Sequence, residues 1–314
     1  MSARILIADK LAKRAGEILQ AAGHDVVTRL GLSEAELCDV VRGFDVLLVR
    51  SAVRVTRPII DAADALKVIG RAGTGVDNID VPAATARGIL VMNVPGGNTV
   101  SAAEHTIALM FAMARNVPRG DASLRRGEWE RSALTGTEIT GKTLGVVGFG
   151  KIGQLVADRA IGLKMKVVAF DVMVPSFVMD AAGVEPVATL DALLERADVV
   201  TLHVPGGAAT KGLIGRDALA KCRKGALLIN CARGGVIDEA ALAEALRSGH
   251  IGGAAIDVFE AEPPRDSPLL GLPNVVLTPH LGASTHEAQV RVAIAVAEQV
   301  RDFLATGRRH GAVN

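Results

Sequence analysis

The feature that most constrains the fold is a glycine-rich turn at residues 148–153, with the sequence GFGKIG. An apolar run precedes it at residues 143–147, and apolar residues then recur at helical spacing through residues 152–161. In such a strand–turn–helix unit the first glycine permits the tight turn, the second lets a phosphate approach the backbone, and the third lets helix and strand pack closely. The helix N-terminus offers free N–H groups to an anion. The pattern predicts a phosphate cradle formed by Gly148, Gly150 and Gly153.

A second apolar run, at residues 167–170, ends at Asp171. Dinucleotide-binding folds place an acid that holds the adenosine ribose about 20 residues after the glycines, and Asp171 stands near that position. Binding of the 2′-phosphate of NADP usually needs an arginine nearby, whereas residues 172–175 contain no basic residue. The sequence therefore favours NAD. The alternative is an ordinary strand–turn–helix unit followed by an exposed aspartate.

Composition excludes several other classes of protein. The 35 Lys and Arg residues nearly balance the 34 Asp and Glu residues, so we expect no nucleic-acid partner. Three widely spaced cysteines and seven histidines without ligand spacing predict no disulfide framework and no metal site, and are typical of the reducing cytoplasm. No apolar run approaches the roughly 20 residues that span a bilayer, and the N-terminus has no signal-peptide pattern. We therefore expect a cytoplasmic protein without a membrane partner.

Strand-like and helix-like segments alternate along the chain, which favours an α/β fold with two doubly wound parallel sheets. In the first hundred residues, strands are predicted at 4–8, 46–49 and 68–70, and helices at 11–22, 33–41 and 57–63. After residue 141, strands are predicted near 144–147, 166–170, 198–202, 226–230, 253–257 and 275–278. The turn-rich residues 93–98 are the expected hinge. A final helix, about residues 285–305, is expected to return to the first unit and make it discontinuous.

Three polar residues lie near predicted strand ends of the second half: Arg233, Glu262 and His280. Open α/β sheets bind ligands outside the carboxyl ends of their strands. Reduction of a 2-keto acid by NADH needs a cation for the carboxylate, a general acid for the carbonyl oxygen, and a group that tunes that acid. A guanidinium, an imidazole and a carboxylate suit these three tasks. The alternatives are a surface arginine, a histidine bonded to the backbone and a solvated glutamate.

These residues stand in motifs that resemble those of the D-isomer-specific 2-hydroxyacid dehydrogenases over nearly the whole chain. The motifs are GRAGTGVDNID at 70–80, VGFGKIG at 147–153, NCARGG at 230–235, AIDVF at 255–259 and PHLGAST at 279–285. The resemblance implies that Arg233, Glu262 and His280 are the catalytic set. It also implies a Rossmann domain that binds NAD at residues 98–284, and a discontinuous flavodoxin-like substrate-binding domain at residues 1–97 and 285–314.

The family positions also imply further contacts. The cofactor contacts they imply are Thr74, Gly148, Gly150, Lys151, Ile152, Gly153, Asp171, Val204, Cys231, Ala232, Arg233, Asp257, His280, Leu281, Gly282 and Ala283. Asp257 is expected to face the nicotinamide carboxamide. The implied substrate contacts are Arg50, Ser51, Arg71, Gly73, Gly75 and Arg131. Arg131 either acts across a homodimer, which the apolar helical pattern at residues 101–115 suits, or is simply solvated.

Within the family, the motifs are most similar to the branch that interconverts 3-phosphoglycerate and 3-phosphohydroxypyruvate in serine biosynthesis. A hydroxypyruvate or glyoxylate reductase is the alternative, because residues 172 and 203–207 depart from that branch's pattern. An NAD-sensing corepressor-like binding protein is disfavoured because the sequence has almost no tail. Few residues follow the last predicted helix, where longer relatives continue into regulatory domains, so we expect no feedback inhibition by L-serine.

Overall fold

The computed structural model describes residues 2–314, which divide into two compact units. One unit comprises the chain up to Asn98 together with Ser284–Asn314, and the other comprises Thr99–Ala283. The chain therefore leaves the first unit once and returns to it through its final helix. Within the described residues, no helix combines the length and the apolar character that crossing a membrane requires.

The first unit is built on a five-stranded sheet with the order β2-β1-β3-β4-β5, in which every pairing is parallel. This is the flavodoxin-like strand order, so the predicted doubly wound architecture is confirmed. The elements are β1 (Arg4–Ile7), α1 (Lys13–Ala21), β2 (Asp25–Thr28), α2 (Glu34–Val40), β3 (Val46–Val49), α3 (Arg57–Ala62), β4 (Val68–Arg71), α4 (Val81–Ala86), β5 (Leu90–Met92) and, from the end of the chain, α12 (His286–Thr306).

Two separate apolar clusters cover the two faces of this sheet, as parallel strands require. The final helix α12 packs on one face beside α1, and its Val296 reaches the sheet at Gly70. A Cβ at Gly70 would lie 2.6 Å from Leu48 Cδ2 and 3.0 Å from Val296 Cγ2, so the glycine is required for this close packing. The apolar stripe of α12 explains why the chain returns to this unit.

The second unit contains a seven-stranded parallel sheet with the order β12-β11-β10-β9-β6-β7-β8, which includes the Rossmann strand order. Its elements are α5 (Thr99–Ala114), α6 (Val117–Arg125), β6 (Thr143–Val147), α7 (Lys151–Gly162), β7 (Lys166–Phe170), α8 (Ser176–Ala181), β8 (Glu185–Pro186), α9 (Leu190–Leu194), β9 (Val199–Leu202), α10 (Arg216–Lys221), β10 (Ala226–Asn230), α11 (Glu239–Arg247), β11 (Ile251–Ile256) and β12 (Val275–Leu277). Apolar clusters again cover both faces.

Three strands, β2, β5 and β8, were absent from the sequence prediction, and all three lie at sheet edges. The strands β2 and β8 carry no fully buried residue, and β8 has only two residues. The strand β5 is buried and apolar along its three residues and was nevertheless missed, whereas β2 and β8 lack the continuous apolar run that marked β3 or β9. The pairing with β1 or β7 decides that these segments are strands.

Candidate active site

The glycine turn adopts the geometry that the sequence predicts for a phosphate cradle. Gly148 has a φ of 93°, and a Cβ there would lie 2.7 Å from the backbone carbon of His203. A Cβ at Gly153 would lie 2.2 Å from the carbonyl oxygen of Gly148, whereas one at Gly150 would meet no atom within 4 Å. Gly150 is the N-cap of α7 and supplies no capping side chain. The first N–H groups of α7 therefore face open space, which fits the phosphates of a dinucleotide.

The predicted ribose ligand, Asp171, follows β7 and already accepts three backbone hydrogen bonds. Its Oδ2 accepts from Phe149 N at 2.7 Å, and its Oδ1 accepts from Met173 N at 2.7 Å and from Val174 N at 3.0 Å. A carboxylate has about four acceptor positions, so capacity for a ribose hydroxyl remains. The same side chain therefore ties the glycine turn to the segment after β7. The contact with a ribose stays a prediction.

The neighbouring strands β10, β11 and β12 bring the candidate catalytic loops together. Arg233 follows β10, Asp257 follows β11 directly, and His280 lies three residues beyond β12. Because parallel strands all end at the same edge of a sheet, these loops share the carboxyl edge where ligands of such folds bind. Glu262 belongs to the loop between β11 and β12.

The loop that carries Arg233 is organised by Asn230, a buried residue at the end of β10. Its Nδ2 donates to the carbonyl oxygen of Arg233 at 3.0 Å, and its Oδ1 accepts from Ala232 N at 3.0 Å. The guanidinium of Arg233 donates to the carbonyl oxygen of Ala232 at 2.7 Å. At Gly234, a Cβ would lie 1.8 Å from the carbonyl oxygen of Phe259, so only glycine allows this approach. The sequence analysis identified Arg233 but not Asn230.

His280 and Glu262 form the charge-assisted pair that the sequence predicts. His280 Nδ1 lies 2.8 Å from Glu262 Oε2 and 3.1 Å from Oε1, and Oε1 also accepts from Phe259 N at 3.2 Å. The hydrogen bond to Glu262 raises the pKa of His280 above its ordinary value. Burial works against ionisation of Glu262, but the hydrogen bond and charge of His280 outweigh it and lower the pKa of that carboxyl. Each member of the pair therefore favours the charged form of the other.

His280 combines an unusual backbone conformation with a side chain that is about half exposed. His280 has a φ of 54°, a left-handed conformation that non-glycine residues adopt rarely. Its Nδ1 is engaged by Glu262, and within residues 2–314 no hydrogen-bond partner occupies its Nε2. A largely apolar cavity of about 400 Å³ adjoins the pair and includes Phe259, Leu270 and Leu277 in its lining. The apolar wall limits hydration on that side of the pair.

Asp257, expected to face the nicotinamide, is fully buried and serves as the anchor of the His280 loop. Its Oδ1 accepts from Thr278 Oγ1 at 2.5 Å and from Leu281 N at 2.7 Å, and its Oδ2 accepts from Gly282 N at 2.9 Å. Burial opposes its ionisation, yet these donors hold the pKa of Asp257 below its ordinary value. Oδ2 accepts one hydrogen bond and keeps an acceptor position, so the expected contact with a carboxamide stays a prediction.

A His–Cys–Asp cluster lies next to this anchor, although the sequence spacing predicted no metal site. Ligand atoms of His105, Cys231 and Asp257 all lie within 4.8 Å of one another. Burial raises the pKa of the Cys231 thiol to about 12, and the Asp257 oxygens already accept hydrogen bonds. A protonated thiol makes a poor metal ligand. His105 and Thr278 were not identified by the sequence analysis.

In the first unit, the predicted substrate residues Arg50 and Arg71 lie at the ends of the adjacent strands β3 and β4. The loop after Arg50 is held by Asp9, whose Oδ2 accepts from Arg50 N and Ala52 N, each at 3.0 Å. The guanidinium of Arg71 folds over Gly73, where a Cβ would lie 1.9 Å from its Nη1. Two cations thus share one carboxyl edge of this sheet.

The remaining predicted contacts are distributed between the two units. Thr74, in the first unit, donates its hydroxyl to Val94 O at 3.1 Å and to Asn98 Oδ1 at 2.8 Å. Arg131 belongs to the second unit and is exposed in an irregular stretch after α6. The structure gives Thr74 a role in the turn near Asn98, and it does not place Arg131 beside Arg50 or Arg71 within one unit. Their roles toward ligands stay predictions.

Known proteins are similar to this chain in sequence. Residues 107–282 match the family model of the NAD binding domain of D-isomer specific 2-hydroxyacid dehydrogenases. A D-3-phosphoglycerate dehydrogenase of Methanocaldococcus jannaschii is 51% identical over 301 residues, which are 96% of this chain and 57% of that protein. The chain thus spans little more than half the length of that relative.

Solved structures agree over the whole chain. The NAD⁺-bound 3-phosphoglycerate dehydrogenase of Entamoeba histolytica is 29% identical, with a TM-score of 0.85 and coverage of 100% of this chain and 99% of that one. A glyoxylate reductase from Paecilomyes thermophila is 30% identical, with a TM-score of 0.88 and coverage of 99% and 98%. The family that the motifs predicted is thereby confirmed: the chain belongs to the D-isomer specific 2-hydroxyacid dehydrogenases, and residues 107–282 are its NAD-binding domain.

Proposed function

We propose that this protein interconverts 3-phosphoglycerate and 3-phosphohydroxypyruvate with NAD(H), a reaction of serine biosynthesis. The observation that carries the dehydrogenase chemistry is the 2.8 Å contact between His280 Nδ1 and Glu262 Oε2 at the carboxyl edge of the NAD-binding domain. The choice of substrate is supported by relatives named for it that are about half identical over nearly the whole chain.

NADH supplies the hydride for reduction, and the protein supplies binding and proton transfer. Arg233 holds the substrate carboxylate through paired N–H donors. His280 donates a proton from Nε2 to the carbonyl oxygen as the C2 carbon accepts the hydride, and it takes the proton back in the oxidation direction. Glu262 stabilises the imidazolium and fixes the ring through Nδ1. In both directions the imidazole changes charge while Glu262 stays ionised.

A phosphorylated substrate carries more negative charge than glyoxylate, so we assign its phosphate to additional cations. Arg50 and Arg71 lie at adjacent strand ends and are the first candidates.

We also propose a homodimer in which Arg131 contributes, because Val117, Leu124 and Trp129 are 56%, 60% and 82% exposed around α6. Sedimentation of the wild type as a single 32.5 kDa species would rule out the dimer. The three free cysteines suit a reducing cytoplasm.

The substrate is tested by steady-state assays of Arg50→Gln beside its matched control. In the wild type, we expect 3-phosphohydroxypyruvate to have a kcat/KM well above those of hydroxypyruvate and glyoxylate. The substitution should raise KM for the phosphorylated substrate about tenfold, as loss of one charge-assisted hydrogen bond does, and change glyoxylate reduction little. Arg54→Gln removes an exposed arginine four residues along and should change neither. A wild type that prefers glyoxylate would instead establish the reductase alternative.

Glu262→Gln should shift the pH dependence of both directions toward lower pH. Glu262 raises the pKa of His280, so the imidazolium persists to higher pH in the wild type. Without that carboxylate, reduction, which needs imidazolium, should decline with rising pH at a lower pH than in the wild type. Oxidation, which needs neutral imidazole, should begin at a lower pH. Profiles of kcat/KM against pH in both directions measure this, and superimposable profiles would contradict the pairing.

The protein is expected to bind NADH at least about tenfold more tightly than NADPH, because Asp171 repels a 2′-phosphate and no cation follows it. Asp171→Asn removes the charge and keeps one of the two acceptor oxygens, so either Phe149 N or the N–H groups of Met173 and Val174 lose their acceptor. We expect this variant to reduce the difference between the affinities for NADH and NADPH. Calorimetric titration of both nucleotides provides the measurement. Equal affinities in the wild type would exclude Asp171 as the discriminating residue.

A further inference from the structure

His105, which the proposed mechanism does not use, contacts Asp257, the residue that holds the loop carrying His280. His105 lies in the first half of α5, and its side chain is 18% exposed. Its Nε2 lies 3.2 Å from Asp257 Oδ1 and 3.1 Å from Thr278 Oγ1. These partners are 152 and 173 residues away in sequence. Helix α5 is thereby joined through one ring nitrogen to the ends of both β11 and β12.

The positions of the protons in this cluster determine what His105 does. Asp257 is ionised and can only accept, and the hydroxyl proton of Thr278 is directed at Asp257 Oδ1. Both atoms near Nε2 are therefore acceptors toward His105. The ring must carry its proton on Nε2 and share it between the two oxygens. His105 is thus a donor to a carboxylate that has no exposed surface.

The carboxylate that receives this proton organises the turn that carries His280. His280 N donates to the backbone carbonyl of Asp257 at 2.9 Å, while Leu281 N and Gly282 N donate to its side chain. These three consecutive N–H groups hold His280 in its left-handed conformation. That conformation in turn directs Nδ1 toward Glu262. A change at Asp257 is therefore transmitted to the orientation of the His280 ring.

We propose that His105 is a positioning residue that donates its Nε2 proton to Asp257 and Thr278, and so holds the turn on which His280 meets Glu262. The assignment rests on the proposed role of His280 as the acid of the dehydrogenase. It adds that the orientation of the His280 ring depends on His105 of α5, whose hydrogen bonds are with Asp257 and Thr278. A buried carboxylate that loses one donor is less well compensated, and its turn is held less firmly.

The test compares His105→Leu, which removes the donor at similar volume, with His105→Gln, which can return an N–H donor to the same place. The first measurement is the pH titration of the His280 ring by NMR in the ligand-free protein, its signal assigned by its absence in His280→Asn. In His105→Leu we expect the pKa of His280 to fall toward the ordinary value, because the contact with Glu262 loosens. In His105→Gln we expect it to return toward that of the wild type.

The second measurement is steady-state kinetics with the best substrate found. His105→Leu should lower kcat about tenfold, roughly the value of one charge-assisted hydrogen bond, and His105→Gln should recover most of this loss. The matched control is His250→Leu, which removes a histidine bonded at 3.0 Å to the carbonyl oxygen of Leu219 in the same unit. We expect this control to leave the titration of His280 and kcat unchanged.

An unchanged His280 titration in His105→Leu would overturn the proposal, and so would equal effects of the leucine and glutamine variants, which would indicate packing alone. If His105→Leu does not fold, Thr278→Val removes the hydroxyl of the same network at nearly constant shape and should lower the pKa of His280 in the same way. An unchanged pKa of His280 in Thr278→Val would also overturn the proposal. The NMR titration needs no substrate. If the protein does not act on the proposed substrate, the titration still tests the role of His105.

Discussion

Replacing His280 by asparagine should lower kcat by about a thousandfold while NADH binding is largely retained, since general acid–base catalysis contributes 10² to 10⁴. Asparagine is chosen because it tolerates the left-handed backbone found at this position, where φ is 54°. In the proposed mechanism the side chain that is lost carries the proton for the carbonyl oxygen, while the glycine cradle proposed for the cofactor is left intact. Single-turnover reduction and calorimetric titration with NADH separate these two effects.

The matched control for this variant is His250→Asn, which changes a histidine of the same unit whose ring bonds the backbone carbonyl of Leu219. It should keep the kcat of the wild type. A His280→Asn variant that also kept that value would show that another group protonates the substrate. A large loss of NADH affinity with kcat intact would make His280 a cofactor ligand instead.

The second large effect is expected at Arg233. Arg233→Gln should lower kcat/KM for the keto acid by about 10² to 10⁴, because two charge-assisted hydrogen bonds to the carboxylate are lost at ~1.5–3 kcal/mol each. Glutamine is too short to restore the paired contact and carries no charge. NADH affinity should change far less. Added guanidinium ion should recover part of the activity if the carboxylate is what the missing group bound.

Arg216→Gln provides the control, since Arg216 pairs with Glu244 on an exposed helix surface of the same unit. Surface ion pairs contribute little, so its kinetics should match those of the wild type. If Arg233→Gln retained kcat/KM, the carboxylate would have to be bound elsewhere, with Arg50 and Arg71 the next residues to test. If Arg233→Gln lost NADH affinity by the same factor as kcat/KM, the main role of Arg233 would be to bind the cofactor.

The local sequence was enough to predict the architecture of both units, because its strongest signals come from short segments. Central strands such as β3, β6 and β9 are nearly continuous apolar runs, which a parallel sheet covered on both faces requires. The glycines of residues 148–153 could be assigned from their spacing, although the close contact at Gly148 is with His203, outside the strand–turn–helix unit, and a Cβ at Gly150 would meet no atom within 4 Å. The edge strands β2 and β8 were missed because pairing with a neighbour, more than composition, makes them strands.

The sequence also identified Arg233, Glu262 and His280, since charged and titratable residues after apolar strands point to the carboxyl edge of a sheet. It did not predict which residues hold them. Asn230 and Asp9 organise loops through hydrogen bonds to backbone groups, and His105 reaches Asp257 across 152 residues. Nor did it reveal that the carboxylate of Asp257 accepts hydrogen bonds from the backbone of the loop that carries His280. The sequence by itself therefore determined the sheets, the cradle and the candidate reactive groups, because these follow from local pattern. Only the tertiary structure decided how those groups are held, because a buried donor meets its acceptor through non-local packing that no spacing in the chain records.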